Sequence, residues 1–373
     1  AMKINITMNH IKMKQKKIHI SAAGSGGHIL PAIEIANQLI SRNYLVYFLT
    51  TNEKRAEAFI ANYNLNIIKF SIKPYKYNSL YTLISTMVNL SIGTIKSIVF
   101  FMRNRPDLLV ITGGYLSMPL FLSSNILRIP YVVYEQNSVL GKANKIISKF
   151  AKKVFTGFEF KLNLNQRHKF IFTGNIIRDA LKKKIEIKRF NEKKKLLNIL
   201  VMGGSQGSKI INDALFETLV NYKTQFTNFR FSHICGNLEY PKIKKKYFDN
   251  GLKVDTFGYI DDISNLYNKS DLVICRAGAM TLSELIFFNI PSIVVPITNS
   301  SNNHQFFNAK ILHDKACSIM IEEKKFNSLT LFKCLKSVDF EKLKSMSECC
   351  KKFKEQSNSE NIIDNILINL NGN

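Results

Sequence analysis

The sequence predicts a two-domain α/β protein whose parallel sheets face a central cleft, and three observations predict it. Runs rich in β-branched residues alternate with helix-length segments along the chain. Two of these runs open directly into glycine loops. They are Ala23-Gly24-Ser25-Gly26-Gly27-His28 after Ile18-His19-Ile20, and Gly203-Gly204-Ser205-Gln206-Gly207 after Leu197-Asn198-Ile199-Leu200-Val201-Met202. The length, 373 residues, exceeds one ordinary core. A glycine loop leading into a helix exposes backbone N–H groups at the helix's positive end, where phosphate or another anion can sit. Two such loops in different halves of the chain predict one polyanionic ligand held between two domains.

The first set of strand-like runs covers 18–22, 45–49, 108–111, 131–134, 154–155 and 170–172. The second covers 197–202, 229–235, 254–257, 272–275 and 292–295. Ligands of such sheets lie at the carboxyl ends of the strands, where the glycine loops fall. A basic tail at 1–16 precedes a first domain at 17–180. A lysine-rich linker at 181–195 leads to a second domain at 196–348, and one or two amphipathic helices end the chain at 349–373. Segment 80–102 is apolar, with Lys96 as its only charge, and approaches the length of a membrane span. Ser85, Asn89, Ser91, Gly93, Thr94 and Ser97 interrupt it, and a span there would tear a sheet apart. It reads as buried helix or as a surface patch dipping into a bilayer, rimmed by Lys73, Lys76, Arg103 and Arg105.

The hydrophobic fraction, 46%, is that of a soluble globular protein. A net charge of +26 raises nucleic acid as a partner. The charge is scattered, however, apart from Lys12, Lys14, Lys16, Lys17 and the run at 182–195. Lysine also outnumbers arginine alongside abundant Ile, Asn, Phe and Tyr, a bias that fits compositional drift. No nucleic-acid partner is expected; an anionic membrane surface, at about 1 kcal/mol per nearby basic side chain, fits better. Cys235, Cys275, Cys317, Cys334, Cys349 and Cys350 form no CxxC and no zinc-ligand spacing, so they read as small buried residues in a reducing compartment. The first seventeen residues are polar and basic without an apolar core segment, which points to the cytoplasm.

The chemistry-bearing residues fall at strand ends. His28 stands at a helix N-terminus, where the dipole favours a neutral imidazole, making it a candidate general base; the alternative is a polar residue that merely finishes the turn. Pro31 suits the first turn of that helix. Thr112-Gly113-Gly114-Tyr115 follows Leu109-Val110-Ile111, and Tyr115 offers a stacking face or a hydrogen bond to a sugar. Glu135-Gln136-Asn137 presents polar side chains to the same crevice. In the second domain, Ser205 is placed to cap a helix or bind phosphate. Arg276-Ala277-Gly278-Ala279-Met280-Thr281-Leu282-Ser283-Glu284 follows strand 272–275. Glu284 either sits favourably at a helix start or clasps ribose hydroxyls. His304 and Gln305 offer imidazole and amide donors to a sugar.

The order of motifs GSGGHILPA, GGYLSMP, YEQNSVLGKAN, GNIIR, GGSQGSKIIN, CRAGAMTLSE and HQFFNA, from about residue 17 to about 312, resembles the MurG family. These enzymes transfer N-acetylglucosamine (GlcNAc) from UDP-GlcNAc to lipid I, making lipid II for peptidoglycan. The resemblance implies a GT-B fold, two Rossmann-like domains with the active site between them. Ser25, Gly26 and Gly27 would lie near the acceptor's diphosphate and sugar, beside an acceptor loop of Gly113, Gly114 and Tyr115. They are also assigned to the donor's site, with Asn137 touching the reacting sugars. The Ile260 backbone would meet the uracil, and the turn formed by Ala279, Met280, Thr281, Leu282 and Ser283 the nucleotide. Glu284 would hold the ribose, Arg178 and Ser205 the diphosphate, and His304 and Gln305 the GlcNAc hydroxyls. His28 would deprotonate the MurNAc 4-hydroxyl in an inverting displacement of UDP.

The resemblance implies no cofactor and no metal, since Arg178 and a helix N-terminus can meet the leaving charge; Asp261-Asp262 reads better as a helix cap. Partners would be UDP-GlcNAc, lipid I, the anionic cytoplasmic face of the inner membrane and possible other cell-wall enzymes. Two departures stand out. Ser25 replaces the family's usual Thr. The segment Ile297-Thr298-Asn299-Ser300-Ser301-Asn302-Asn303 also lacks the acidic residue often found before His-Gln. The alternatives are another GT-B enzyme, such as a UDP-GlcNAc 2-epimerase or a glycolipid synthase, and a non-catalytic UDP-sugar sensor. An epimerase leaves the first-domain loops and the apolar segment without a task.

Overall fold

Seven parallel strands build the first sheet: β1 (Lys17–Ser21), β2 (Leu45–Thr51), β3 (Asn66–Phe70), β4 (Leu108–Ile111), β5 (Tyr131–Glu135), β6 (Val154–Thr156) and β7 (Phe170–Phe172), in spatial order β3-β2-β1-β4-β5-β6-β7. The computed structural model describes residues 15–24, 26–61, 63–75, 79–160, 168–186, 196–204, 206–356 and 361–371. The tail through residue 14, Ser25, Lys76, linker positions 187–195 and Ser205 lie outside them. Helices α1 (Gly26–Ser41), α2 (Lys54–Ile60), α3 (Leu80–Arg103), α4 (Ser117–Ile126) and α5 (Lys142–Ile147) cover this sheet, and α6 (Asp179–Lys182) leads out of it. Strand order reverses between β1 and β4, which leaves a crevice beyond their carboxyl ends. The first glycine loop and Gly113-Gly114 both open there.

The second sheet holds β8 (Leu197–Met202), β9 (Phe229–Ile234), β10 (Val254–Phe257), β11 (Leu272–Cys275), β12 (Ser292–Val294) and β13 (Ser318–Met320), in order β10-β9-β8-β11-β12-β13. Its helices are α7 (Lys209–Asn221), α8 (Tyr240–Asp249), α9 (Ser264–Lys269), α10 (Ala279–Phe287), α11 (His304–Asp314), α12 (Ser328–Lys336) and α13 (Phe340–Gln356). Its crevice lies between β8 and β11, so the second glycine loop and the segment after Cys275 share it. The expected strands are all present. The sequence reading passed over β3 and β13, the edge strands that carry the weakest apolar pattern: β3 is mostly solvent-facing and β13 has three residues.

Two helix starts differ from expectation. The first helix begins at Gly26, so Pro31 lies inside it and His28 in its first turn. The other, α7, begins only at Lys209, so the second glycine loop ends before the helix instead of opening it. There Gly207 adopts φ +77°, and an added Cβ would lie 2.1 Å from the Cys235 carbonyl oxygen, a close approach that no side chain permits.

The chain returns to the first domain at its end. Helix α14 (Asn361–Asn371) buries Ile362, Ile363, Ile366 and Leu370 in the first domain's core against the α1 side of the sheet. Lys16 and Arg42 of the first domain pair with Asn371 and Asp364. By contrast, α13 packs on α10, and its Cys350 and Phe353 join the second domain's core. That core also takes in Ile177 and Leu181, whereas Ile176 belongs to the first.

The faces of α3 are inverted relative to a soluble amphipathic helix. Its buried side is polar and small: Thr86, Gly93, Thr94 and Ser97, with Phe101 at the end. Thr94 and Ser97 return their hydroxyls to the carbonyls of Leu90 and Gly93, so burial leaves neither unsatisfied. Its outer side exposes Tyr81, Ile84, Met87, Val88, Ile95 and Met102, each more than half accessible. Ile126, the last residue of α4, and Phe150, just beyond α5, are both 63% exposed; α4 and α5 are the neighbouring helices on that flank.

Candidate active site

His28 is held by the loop after β4. Its Nδ1 lies 2.9 Å from the Thr112 carbonyl oxygen, which can only accept, so the proton sits on Nδ1. The Gln136 side-chain amide nitrogen lies 2.7 Å from the same ring nitrogen, and its Oε1 is buried without a partner; turning the amide over keeps its shape and lets Oε1 accept from Nδ1–H beside the Thr112 carbonyl. The Nε2 lone pair is thereby left for the crevice, the tautomer a base needs. Gly113 must be glycine here: a Cβ would lie 2.7 Å from the imidazole Cε1, and its φ is +116°. Tyr115 donates to Thr51 Oγ1 at 2.9 Å, and burial pushes its hydroxyl up to about 12, so it serves as a donor. Glu135 differs from expectation. It is fully buried and faces its own loop, accepting from Asn137 and Gly141 N–H and from the Asn137 and Asn144 amides. The carboxylate shapes the loop and does not line the crevice.

In the second domain, Glu284 lies in the interior of α10 and not at its start, so the helix-dipole reading does not apply. One carboxylate oxygen accepts from Arg178 Nε at 3.1 Å, with a second guanidinium nitrogen at 3.0 Å. The other accepts from Tyr267 Oη at 3.1 Å. Burial raises the Glu284 carboxyl above the usual range even with Arg178 beside it. The residues expected to hold ribose and diphosphate thus pair with one another, and Tyr267, missed in the sequence, completes the group. Only its distance from Glu284 in the chain hid it, because a buried tyrosine has no local pattern.

The turn at the start of α10 leaves Met280 and Thr281 partly exposed, whereas the Leu282 side chain is wholly in the core and Ala279 nearly so. Ser283 Oγ accepts from Asn175, whose amide also donates to the Gln136 carbonyl, so it bridges the domains. Asn137 and Ser138 meet Asn308 of α11: its Oδ1 accepts from Ser138 N–H at 2.9 Å, and its Nδ2 donates to Asn137 Oδ1 at 3.2 Å. Asn308 was overlooked although it lies one turn beyond His304. Ile260 is partly buried against the second core. His304 and Gln305 open α11, as the sequence predicts, and Gln305 Oε1 accepts from Ile297 N–H. Asp262 caps the start of α9 through Ser264. Ser25 and Ser205 fall outside the described residues.

Two switch-point crevices, a histidine at one and a buried acid–arginine pair at the other, suit a two-domain sugar transferase. The glycosyltransferase family 28 N-terminal domain matches residues 18–156 and the family's C-terminal domain matches 198–362. A curated relative from Francisella tularensis, UDP-N-acetylglucosamine–N-acetylmuramyl-(pentapeptide) pyrophosphoryl-undecaprenol N-acetylglucosamine transferase, is 32% identical over 95% of this chain and 98% of its own. The enzyme of the same name from Pelagibacter ubique is also 32% identical, with the same coverage. The solved structure of Acinetobacter baumannii MurG superposes with a TM-score of 0.79 at 25% identity, over 94% of this chain and 99% of that one. A UDP-N-acetylglucosamine 2-epimerase, at 11% identity and a TM-score of 0.63, shares the fold alone. The chain belongs to the MurG family of glycosyltransferase family 28.

Proposed function

We propose that the chain transfers GlcNAc from UDP-GlcNAc to the C4 hydroxyl of MurNAc in lipid I, inverting the anomeric carbon to give the β-1,4 link of lipid II. The observation that carries the mechanism is His28, with Nδ1 tied to Thr112 and Nε2 left for the crevice. Nε2 takes the proton as the hydroxyl oxygen attacks the anomeric carbon and the bond to UDP breaks. Asn137 sits at the domain junction, where the two sugars meet. Glu284 grips the ribose, and Arg178, released toward the diphosphate, meets the charge that develops on UDP, with no metal invoked. The Ile260 backbone and the first turn of α10 take the uracil and nucleotide; His304 and Gln305 take the GlcNAc. Gly26 and Gly27, with Gly113, Gly114 and Tyr115, receive the acceptor.

The acceptor's polyprenyl chain lies in a bilayer, so the enzyme works at its cytoplasmic face. The outward apolar side of α3, with exposed Lys73, Arg103 and Arg105, lies on that surface, while its polar side keeps it attached to the domain. Labelled UDP-GlcNAc and a lipid I analogue test the reading. Transfer is expected for the native chain, and His28→Ala is expected to lower turnover by about 10²–10⁴-fold with UDP-GlcNAc binding retained. Near-normal turnover in that variant rejects the base assignment.

A further inference from the structure

Arg276 ties together segments that end at the carboxyl edge of the second sheet. Its Nε donates to Ser208 Oγ at 3.1 Å, just after the second glycine loop, and a terminal nitrogen donates to the Val295 carbonyl at 3.2 Å. Its other terminal nitrogen lies 2.6 Å from Glu323 Oε1, and Glu323 Oε2 accepts the Thr298 backbone N–H at 3.0 Å. The two side chains are 11% and 15% exposed, so water screens the pair far less than a surface pair. Burial opposes the charge on Glu323, but hydrogen bonds from Thr298 and the Arg276 guanidinium hold its carboxyl below the ordinary glutamate range.

Glu323 supplies what segment 297–303 lacks, an acid to anchor it. Among the described residues, small polar contacts also hold that segment: Ile297 N–H to Gln305 Oε1, Asn303 N–H to the Ser300 carbonyl, and Gln305 N–H to Ser300 Oγ. Asn302 and Asn303 both sit at φ 52°, a left-handed conformation that persists only where the surroundings impose it. With one lone pair of its oxygen engaged by Ile297, Gln305 keeps both amide N–H groups and the second lone pair for a ligand.

We propose that the Arg276–Glu323 pair positions the sugar-reading segment, so that His304 and Gln305 meet the GlcNAc hydroxyls of the donor. The pair acts through the segment and touches no substrate. The proposal rests on the donor-site reading above. Removing Glu323 frees the Thr298 end of the segment, and the cost falls on the sugar and not on the nucleotide.

Calorimetric titration of the full chain with UDP and with UDP-GlcNAc tests it. In Glu323→Ala, UDP-GlcNAc affinity is expected to fall roughly tenfold, the loss of one charged hydrogen-bonded anchor, while UDP affinity stays within about twofold. Glu323→Gln keeps the shape and one acceptor, so it is expected to recover part of the loss; it carries the test alone if the alanine variant unfolds. KM for a lipid I analogue is expected to stay unchanged. Equal weakening of UDP and UDP-GlcNAc, or no change in either, overturns the positioning role. Failure of the native chain to bind UDP-GlcNAc overturns the donor-site reading instead.

Discussion

Tyr267 shows how much of the site rests on single buried side chains. It is fully buried and donates to the oxygen of Glu284 that Arg178 does not hold. With Arg178 on one oxygen and Tyr267 on the other, the carboxylate cannot rotate away from its place on α10. Removing one partner of a buried ion pair costs about 3 kcal/mol or more, whereas removing a neutral donor to it costs about 1–2 kcal/mol. Tyr267→Phe is therefore expected to raise KM for UDP-GlcNAc about tenfold with a smaller change in kcat. Glu284→Ala, which leaves Arg178 without its partner, is expected to lose both binding and transfer. A steady-state comparison of the two variants with the native chain checks this order, and an unchanged KM in Tyr267→Phe contradicts it.

At the scale of elements, α3 decides where the protein works. Twenty-four residues of apolar helix are long enough to span a bilayer, and among the described residues it is the one helix that passes that test. Its packed side argues for lying on the surface: Ser97 and Phe101 are fully buried against the domain. A spanning helix would have to withdraw them and expose the strands beneath. Met87, Ile95 and Met102 are 62%, 61% and 71% exposed, so replacing them with Asp leaves the core intact. The expected outcome is weaker co-sedimentation with anionic vesicles and lower turnover on vesicle-borne lipid I. Turnover on a water-soluble acceptor analogue is expected to be unaltered. Equal sedimentation of variant and native protein removes α3 from the membrane surface.

At the scale of the whole molecule, two features link stability to the assembled fold. Helix α14 places four apolar side chains in the first domain's core, to which the chain last contributed at Ile176. Each fully buried aliphatic side chain contributes about 1.5–3 kcal/mol, so Ile366→Asp is expected to destabilise the first domain severely, seen as a large drop in thermal midpoint. The second feature is acid sensitivity. Burial, with Lys17 nearby, lowers His19 to about 3, and burial lowers His233 to about 4. Both lie below the unfolded value of about 6.5, so the unfolded chain binds more protons below that pH. Stability is accordingly lost as pH falls from about 6.5 toward 3–4, by up to about 1.4 kcal/mol per unit for each histidine. Glu34 and Glu284, whose carboxyls burial raises, act in the opposite sense. His19→Phe isolates one contribution, since neither ring nitrogen has a partner among the described residues and Tyr47, Phe100 and Phe101 surround it. The variant is expected to lose less thermal stability between pH 7 and pH 5 than the native chain; identical losses count against the assignment.

The sequence by itself determined the alternation of strands and helices, both glycine loops, the place of His28, and the family. Those properties are local: a β-branched run, a glycine that admits positive φ and a helix start are written in adjacent residues. Edge strands β3 and β13 escaped because little of either is buried, and burial is what imposes an apolar pattern. Tertiary structure alone decided the rest. It joined Arg178 to Glu284 and Tyr267, turned Glu135 inward, set Glu323 against Arg276, carried α14 back to the first domain and faced the apolar side of α3 outward. Apart from Glu135, whose carboxylate bonds its own loop, these depend on which residues meet at long range along the chain, and pairing at that range follows from packing, not from sequence spacing.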